Sequence, residues 1–327
     1  MAKKIIVVVG ATGNQGSSVA NTFLGLSHWH VRALTRNPSS DTSKSLAAQG
    51  AEVVQGDLAE PASLAKAFEN ANAIFLNTDF WETYRPAKAA LDAEGKPPES
   101  ASVKAFTYET TNGKNAVDAA SRVPTLERFI YSALTSFSKS SNGKYTRSMH
   151  AEARGQIVEY IETEQPELAK KTSLIYVGVY SSNRLFSPPF DPNSGKYIFT
   201  MALKKDFRLP IINPRESIGP FVRALVEDEA PGIHLLAYNS YLTMGEVVDT
   251  WSKASGKEGI YVPITTKELH EKMGRPYEVL DGLDAANEFG YTGANAVIEP
   301  HQLKSKVHTK SFEDWLKEKD WDKELSI

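Results

Sequence analysis

Short apolar runs alternate along this chain with amphipathic segments of helical period. The first run covers residues 5–9, all Ile or Val, and the segment after it places Val19, Phe23 and Leu26 on one face. Near-continuous apolar strands that alternate with helices are typical of a parallel sheet covered on both faces. The pattern therefore predicts an α/β fold with a Rossmann-type, doubly wound parallel sheet.

Further elements follow from the same pattern. Strands two to six are predicted at residues 30–35, 51–55, 73–78, 128–132 and 172–180. Helices are predicted around residues 44–49, about Leu64 and Phe68, at 113–122 and at 147–164, with a polar loop at 136–144. The segment from Asp79 to about Val103 contains three prolines, so we expect an irregular insertion there.

The turn after the first strand has the sequence Gly10-Ala11-Thr12-Gly13-Asn14-Gln15-Gly16. Glycines at this spacing, between a strand and a helix, let the backbone approach a pyrophosphate, which then lies on the N–H groups of the helix start. A glycine-rich turn without a ligand is the alternative. We predict a bound dinucleotide, contacted here by Gly10, Thr12, Gly13, Asn14, Gln15 and Gly16.

The second strand ends in Thr35-Arg36-Asn37-Pro38, where an acidic residue would bind the ribose diol of NAD. A guanidinium at this position can pair with a 2′-phosphate, so NADP(H) is favoured over NAD(H) as the cofactor. The alternative is a solvated surface arginine. Asp57 and Leu58, after strand three, are expected to border the adenine, although Asp57 would serve equally as a helix N-cap. Thr78, at the end of strand four, is expected near the phosphates and ribose.

The composition of the chain changes after Tyr180. Residues 181–215 are rich in Pro, Phe, Ser and Asn, and a helix at 220–227 and a strand at 233–237 are expected to return to the sheet. We therefore expect an NADP-binding Rossmann domain at 1–180, to which 216–238 returns, and a smaller mixed α/β C-terminal lobe at 181–327. Such a lobe would cover the carboxyl ends of the strands, where nucleotides bind in folds of this kind.

Composition restricts the classes of function. The net charge is −3, with no run of five or more like charges, which disfavours direct binding to nucleic acid or to an acidic membrane. The absence of cysteine excludes a thiol nucleophile and a zinc–thiolate site, and His28-Trp29-His30 lacks the spacing of a metal site, so no metal is predicted. The first strand leaves no room for a signal peptide, and no apolar run reaches transmembrane length. We expect a cytoplasmic protein, with the nucleus also open to it.

Several motifs together resemble the NmrA-like family of atypical short-chain dehydrogenase/reductases. They are the glycine turn, Thr35-Arg36-Asn37-Pro38, Gln55-Gly56-Asp57, Thr78-Asp79-Phe80-Trp81-Glu82, Phe129-Ile130-Tyr131-Ser132 and Ile218-Gly219-Pro220. The resemblance covers most of the chain and is greatest to cytosolic members regarded as NADP(H) sensors rather than enzymes. It implies an extended Rossmann fold with a C-terminal lobe and further cofactor contacts at Phe80, Lys114, Arg154, Tyr180 and Asn183. The alternatives are a solvated lysine at Lys114, a packing aromatic at Tyr180 and a turn cap at Asn183.

Reductases of the short-chain type protonate the carbonyl oxygen with a tyrosine, assisted by a lysine one helical turn later. In the helix after strand five, where this pair is expected, His150 and Arg154 occupy the two positions. Arg154 stays charged and cannot shuttle a proton, whereas His150 can act as acid or base near neutrality. The tyrosine and lysine of this pair also occur with the required spacing at Tyr84 and Lys88. We reject that match, because it contains a proline and follows strand four rather than strand five. His150 and Thr135 are the remaining catalytic candidates, and an inert surface histidine is the alternative.

Two main functional hypotheses follow. The leading one is an NADP(H)-binding, redox-sensing or regulatory protein without the Tyr-x-x-x-Lys pair, in which the cofactor changes binding of a regulatory protein partner. The competing one is an NADPH-dependent oxidoreductase of the atypical short-chain type that acts on a quinone or carbonyl substrate. Quinones fit best, because hydride transfer to them demands less from a protein acid. A structural remnant that binds no nucleotide is a third hypothesis, which Arg36 and the intact glycines oppose.

Overall fold

The computed structural model describes residues 2–325, and its centre is a seven-stranded parallel sheet. Its strands are β1 (Lys4–Val9), β2 (Trp29–Thr35), β3 (Glu52–Gln55), β4 (Ala73–Leu76), β5 (Arg128–Ala133), β6 (Thr172–Val177) and β11 (His234–Ala237). They lie in the order β3-β2-β1-β4-β5-β6-β11, and the pairs of neighbours in the described chain are all parallel. The predicted doubly wound sheet is confirmed.

Helices follow most of these strands and cover both faces of the sheet. In the first two thirds of the chain they are α1 (Asn14–Leu24), α2 (Asp41–Ala48), α3 (Pro61–Phe68), α4 (Trp81–Ala93), α5 (Glu99–Ser121), α6 (Phe137–Ser140), α7 (Met149–Glu164), α8 (Pro166–Ala169) and α9 (Pro214–Glu227). Those of the last third are α10 (Met244–Ser255), α11 (Thr266–Met273), α12 (Tyr277–Phe289), α13 (Phe312–Lys317) and α14 (Trp321–Glu324).

Alternating side chains of each strand enter two separate cores, because successive residues of a strand point to opposite faces. On β1, Ile6 and Val8 join the core under α1 and α9. Val7 and Val9 join the core under α3, α5 and α7 on the other face. These four side chains are almost completely buried, and each contributes about 1.5–3 kcal/mol of transfer free energy. The apolar run of the sequence thus becomes a strand that is covered on both sides.

The C-terminal lobe contains two small sheets. The first joins β7 (Val179–Tyr180) and β12 (Ser240–Thr243) to either side of β10 (Arg208–Ile212), and the second joins β8 (Phe190–Asp191) and β13 (Gly259–Pro263) to β9 (Lys196–Met201). Helices α10 and α13 pack against them around Trp251 and Phe312. The smaller mixed α/β lobe is confirmed.

The chain passes between the main sheet and the lobe by short crossings. One residue, Gly178, separates β6 from β7, and a Cβ atom at this position would lie 2.7 Å from the carbonyl oxygen of Pro210. One residue separates β10 from α9, and two separate β11 from β12. The strand predicted at 172–180 is therefore two strands in different sheets, joined at a glycine that the close approach requires.

The irregular insertion predicted from Asp79 to Val103 is wrong, because this segment forms α4 and the start of α5. Pro97 and Pro98 lie in the turn between the two helices, and Pro86 is tolerated inside α4. Spacing by three or four residues places Phe80, Tyr84 and further apolar side chains on one face of α4, where they pack against Ala101 and Ala105 of α5. The free energy gained by this packing outweighs the loss of the one backbone hydrogen bond that Pro86 cannot donate.

Smaller boundary errors have local causes. The loop predicted at 136–144 contains the single turn α6. The helix predicted at 113–122 is the second half of the 23-residue α5. The helix predicted at 220–227 begins at Pro214, because Asn213 caps it and a proline suits the first helical position.

Substitution of Gly219 tests the crossing of α1 and α9. The N–H of Gly219 donates to Ser18 Oγ, and a Cβ atom on Gly219 would lie 2.2 Å from the carbonyl oxygen of Ser18. We expect Gly219→Ala to lower the free energy of unfolding by about 1–3 kcal/mol or more, since backbone cannot yield as a flexible side chain would. Urea unfolding followed by circular dichroism measures the change.

Gly25→Ala is the matched control, because a Cβ atom on Gly25 would lie 3.4 Å from its nearest neighbour, at the end of the same helix. We expect this variant to differ from the wild type by less than about 0.5 kcal/mol. Equal stabilities for Gly219→Ala and the wild type would contradict the described crossing.

Candidate functional site

The glycine turn joins β1 to α1 in a conformation that depends on its glycines. Gly10 has φ +69°, in the left-handed region, and its carbonyl oxygen accepts from the N–H of Gly13 at 2.9 Å. A Cβ atom on Gly16 would lie 2.2 Å from that same oxygen. Gly13 is the N-cap of α1 and has no side chain, so the first N–H groups of the helix carry no side-chain cap. Such a helix start is suited to a phosphate group.

A cleft of about 460 Å³ opens from this turn along the carboxyl ends of the strands. It lies beside β1, where the strand order reverses, which is where ligands bind in open α/β sheets. A second depression of about 510 Å³ lies along α3 and α5 and includes residues of the segments that precede β4 and β5, so it is separate from the carboxyl ends of the strands. Seven of the predicted cofactor-binding residues line the cleft: Gly10, Thr12, Gly13, Arg36, Asp57, Leu58 and Thr78.

Arg36 lies at one end of the cleft and forms an ion pair. Its Nη2 atom is 2.6 Å from Oε1 of Glu82, in the first turn of α4, and both side chains are about half exposed. The hydrogen bond from Arg36 to Glu82 raises the pKa of the Arg36 guanidinium. Ser40 and Thr42, at the start of α2, line the same end of the cleft. This end therefore offers a guanidinium and the hydroxyl of Thr42, whereas the hydroxyl of Ser40 caps α2 and donates to Ser43 Oγ at 2.8 Å.

The N-cap of α3 is Glu60, so Asp57 is not the helix N-cap of its alternative interpretation and serves its own turn instead. Its Oδ1 atom accepts from the backbone N–H of Ala59 at 2.9 Å. The neighbouring carbonyl group of Leu58 accepts from Asn115 Nδ2 at 2.9 Å, which fixes this loop against α5. Both residues nevertheless line the cleft.

A buried ion pair adjoins the cleft at Glu109 and Thr78, which line it, whereas Arg154 is not among the described residues of the lining. Arg154, on α7, donates from Nε to Oε1 of Glu109, on α5, at 3.1 Å. Thr78 donates from its hydroxyl to the same oxygen at 2.6 Å, and its carbonyl oxygen accepts from Nη2 of Arg154 at 2.5 Å. Arg154 also donates to the carbonyl oxygen of Ser132, on β5. Burial raises the pKa of Glu109, because desolvation opposes ionisation, while the positive charge of Arg154 acts in the opposite direction.

Glu109 is a site residue that the sequence pattern did not indicate, as are Asn77, Tyr108 and Asn112, which also line the cleft. Asn77 directly follows β4, and the other three lie on α5, between the expected insertion and the helix predicted at 113–122. A signal existed, since Ala101, Ala105, Glu109, Asn112 and Ala116 recur every three or four residues and therefore share one helix face. Glu109 and Asn112 are the two polar side chains among the alanines of this face, and both are buried.

Three buried oxygen atoms near this cleft lack a hydrogen-bond donor within residues 2–325. They are Oε1 of Gln15, Oδ1 of Asn77 and Oε2 of Glu109. Buried polar atoms are nearly always hydrogen-bonded, so a ligand with hydroxyl or amide N–H groups fits here. A nicotinamide dinucleotide carries such donors on its riboses and carboxamide. With the glycine turn, these atoms show that the residues present fit such a cofactor.

Gln15 and Tyr180 join the glycine turn to the lobe. Gln15 donates from Nε2 to the hydroxyl of Tyr180 at 2.8 Å. Burial raises the pKa of Tyr180. Tyr180 thus supports the turn from β7, although it is not among the described residues that line the cleft.

Lys114 and Asn183 lie outside the cleft as far as the chain is described. The ammonium of Lys114 is 4.9 Å from the centre of the Tyr160 ring, on another face of α5 from Glu109. Asn183 accepts from the backbone N–H of Leu185 and caps a single 3-10 turn. Asn183 thus caps the turn, as its alternative held, whereas Lys114 is half-buried, and a cofactor contact at either residue stays a prediction.

Phe80 is fixed by packing, and the two catalytic candidates, His150 and Thr135, are fixed by contacts with the lobe. Phe80 is buried, and its ring contacts Trp81 and His150. Oε1 of Glu278, on α12, accepts from the backbone N–H of His150 and lies 2.7 Å from Nδ1 of its ring. Thr135 is buried and accepts from Asn295 Nδ2 at 3.2 Å. Thr135 is thus covered by the lobe, whereas the His150 side chain remains partly exposed.

Residues 2–316 match the profile of the NmrA-like family. The chain belongs to this family. A curated relative, the NmrA-like family domain-containing oxidoreductase cpsB of Aspergillus campestris, is 28% identical over 274 residues, which cover 80% of this chain and 75% of the relative.

Two solved structures share the fold. NmrA, a negative transcriptional regulator in complex with NADP, is 19% identical with a TM-score of 0.70, and 100% of this chain and 98% of that chain are covered. The NADPH-dependent quinone oxidoreductase QOR2 of Escherichia coli, complexed with NADPH, is 18% identical with a TM-score of 0.65, and 95% and 98% are covered.

Two features are absent from residues 2–325. No group of three or more histidine, aspartate or glutamate side chains is arranged there to hold a metal ion. No helix in this range is both long enough and apolar enough to cross a membrane.

Substitution of Arg154 tests the buried ion pair. We expect Arg154→Met to lower the free energy of unfolding by about 3–5 kcal/mol, because a carboxylate remains buried without its partner. The loss should be larger at pH 8 than at pH 5. Burial already holds the pKa of Glu109 above its unfolded value, and removing the guanidinium raises it further, so stability falls as the pH rises from the unfolded toward the folded pKa. Urea unfolding at both values of pH measures this.

Lys170→Met is the control, because it breaks an exposed ion pair with Glu167 and should cost less than about 1 kcal/mol. A cost for Arg154→Met that does not change with pH would contradict a buried carboxylate at Glu109.

Proposed function

We propose that this chain binds NADP(H) in the cleft and acts through that binding as a redox-sensing or regulatory protein. The observation that carries the proposal is the arrangement of the cleft itself. A glycine turn suited to a pyrophosphate lies at its centre, and Arg36, Ser40 and Thr42 lie at one end, where an adenosine 2′-phosphate would reach them. The solved complexes of NmrA with NADP and with NAD, and of the quinone oxidoreductase with NADPH, support a nicotinamide dinucleotide in the cleft, and the choice of NADP(H) rests on Arg36.

The other end of the cleft favours binding over catalysis. Arg154 stands where a reductase of the short-chain type would have its lysine, and its guanidinium hydrogen-bonds to Glu109, Thr78 and Ser132. A guanidinium remains protonated and cannot relay a proton. Arg154 and Glu109 would instead position the nicotinamide ribose. When bound, the cofactor would supply a group whose redox state changes its charge, which is what a sensor needs.

In this proposal, the domain predicted at 1–180 with 216–238 binds the cofactor, except that β7 (Val179–Tyr180) pairs within the lobe. The lobe predicted at 181–327 presents a surface to a regulatory protein partner. The description of NmrA as a negative transcriptional regulator supports such a role. A cytoplasmic location remains part of the proposal.

One observation favours a reductase as the second candidate. The contact between Glu278 and Nδ1 would orient the His150 ring and leave Nε2 for proton transfer, the arrangement of a base held by a third group. His150 also stands at the position expected for the tyrosine, one helical turn before Arg154. Relatives such as cpsB are named oxidoreductases. A quinone or carbonyl compound would be the substrate.

Arg36→Ala tests the cofactor. We expect it to weaken NADPH binding at least about tenfold and NADH binding much less, because only NADPH carries the phosphate that a guanidinium would bind. Titration calorimetry with each nucleotide measures both. Arg122→Ala is the control, since it removes an equal charge from the depression along α3 and α5. Equal weakening of NADPH and NADH would defeat the assignment of NADP(H), and no heat with either nucleotide would end the proposal.

A turnover assay separates the two candidate functions. We expect purified protein to bind NADPH tightly but to oxidise it no faster than background with a panel of quinones and aldehydes, followed by the absorbance of the reduced nicotinamide. Turnover that falls about 100-fold or more in His150→Gln, and also in Glu278→Gln, would replace the regulator with the reductase.

A further inference from the structure

The guanidinium that would bind the 2′-phosphate already has an anionic partner. Arg36 and Glu82 are 2.6 Å apart, and Glu82 lines the cleft beside it. The groups that face Arg36 from the packed elements are Glu82 on α4, Asp57 after β3 and Tyr108 on α5. A phosphate at this place would either share the guanidinium with Glu82 or displace Glu82 from it, and in both cases it would lie close to the carboxylates of Glu82 and Asp57.

The charges along the cleft increase this competition. Among the described residues that line it, Arg36 is the one basic side chain, whereas Asp57, Asp79, Glu82 and Glu109 are acidic. Glu109 is compensated by Arg154. A 2′-phosphate adds about −1.5 to −2 charges at neutral pH if it titrates like other phosphate monoesters. A nucleotide with a 2′-hydroxyl adds no charge there and leaves the ion pair intact.

The position of Glu82 allows its side chain to leave without moving the helix. Oδ1 of Asp79 accepts from the backbone N–H groups of Trp81 and Glu82, at 2.9 and 3.3 Å, and so fixes the first turn of α4. A carboxylate released into solvent there remains favourable, because it lies at the positive end of the helix dipole. Rotation of the Glu82 side chain is thus sufficient to free Arg36.

We propose that Glu82 sets the cofactor preference of this chain by competing with the 2′-phosphate of NADP(H) for Arg36. This inference rests on the proposed function, since it requires a nicotinamide dinucleotide in the cleft. Glu82 lowers the affinity for NADP(H) and leaves that for NAD(H) almost unchanged. It is a specificity-determining residue that acts against the phosphorylated cofactor.

Glu82→Gln tests the proposal by calorimetric titration with NADPH and NADH. We expect NADPH to bind at least about fivefold more tightly, the factor for removing one unit charge at contact distance in water, and NADH to change by less than about twofold. In the background of Arg36→Ala, Glu82→Gln should increase the NADPH affinity by a smaller factor, because there is then no guanidinium for which Glu82 and the 2′-phosphate compete. At 1 M salt the gain should shrink, since the Debye length is then about 3 Å.

Glu94→Gln is the matched control, because it changes the net charge equally at the far end of α4, where Glu94 pairs with Lys96. It should alter neither affinity, and circular dichroism establishes that each variant is folded.

Four results would overturn the proposal: unchanged NADPH affinity in Glu82→Gln, weaker NADPH binding, an equal gain for both nucleotides, or the same gain with and without Arg36. The proposed function fails separately, if the wild type binds neither nucleotide. An unchanged preference in Glu82→Gln, when the wild type binds NADPH, would overturn the inference on Glu82 alone.

Discussion

A buried guanidinium organises the edge of the sheet on which the candidate site is built. Arg154 ties together α7, α5, β5 and the segment after β4, through Glu109, Ser132 and Thr78. An ion pair of this kind gives little net stability, because desolvation of both charges offsets their attraction. Its main effect is on geometry. If either charged group moved away, the other would remain buried without a partner, which is unfavourable. The pair thus fixes where α5 and α7 meet the carboxyl ends of the strands.

The parts of the site that the sequence predicted are those that local chemistry dictates. A run of Ile and Val, a turn that needs a positive φ at Gly10 and a close approach at Gly16 leave few alternatives for β1 and α1. Arg36 could be placed because it directly follows a recognisable strand. These features depend on neighbours within about twenty residues.

The parts that the sequence did not predict depend on packing between distant elements. Prolines suggested irregular chain where α4 and α5 form a helical pair, since their stability comes from mutual burial around Phe80 and Ala105. Glu109 remained hidden with that helix. The contact between His150 and Glu278 spans 128 positions, and no pattern within α7 indicates it. The contact of Lys114 with the Tyr160 ring, 46 positions later in the chain, likewise has no signal within α5.

The short crossings between the main sheet and the lobe restrict how the two can move. At three places the linking segment is only one or two residues long: Gly178, Asn213 and the two residues after β11. A hinge would have to bend all three at once, and β7 and β10 are paired at one of them. It would also have to bend the longer segment between α12 and α13, where Ile298 pairs with Leu235 of β11. Rigid opening of the lobe is therefore disfavoured, and sliding of packed helices over a fraction of a turn is the motion that this connectivity leaves. A signal from the cleft would then reach the outer surface as a shear, with the lobe staying attached throughout.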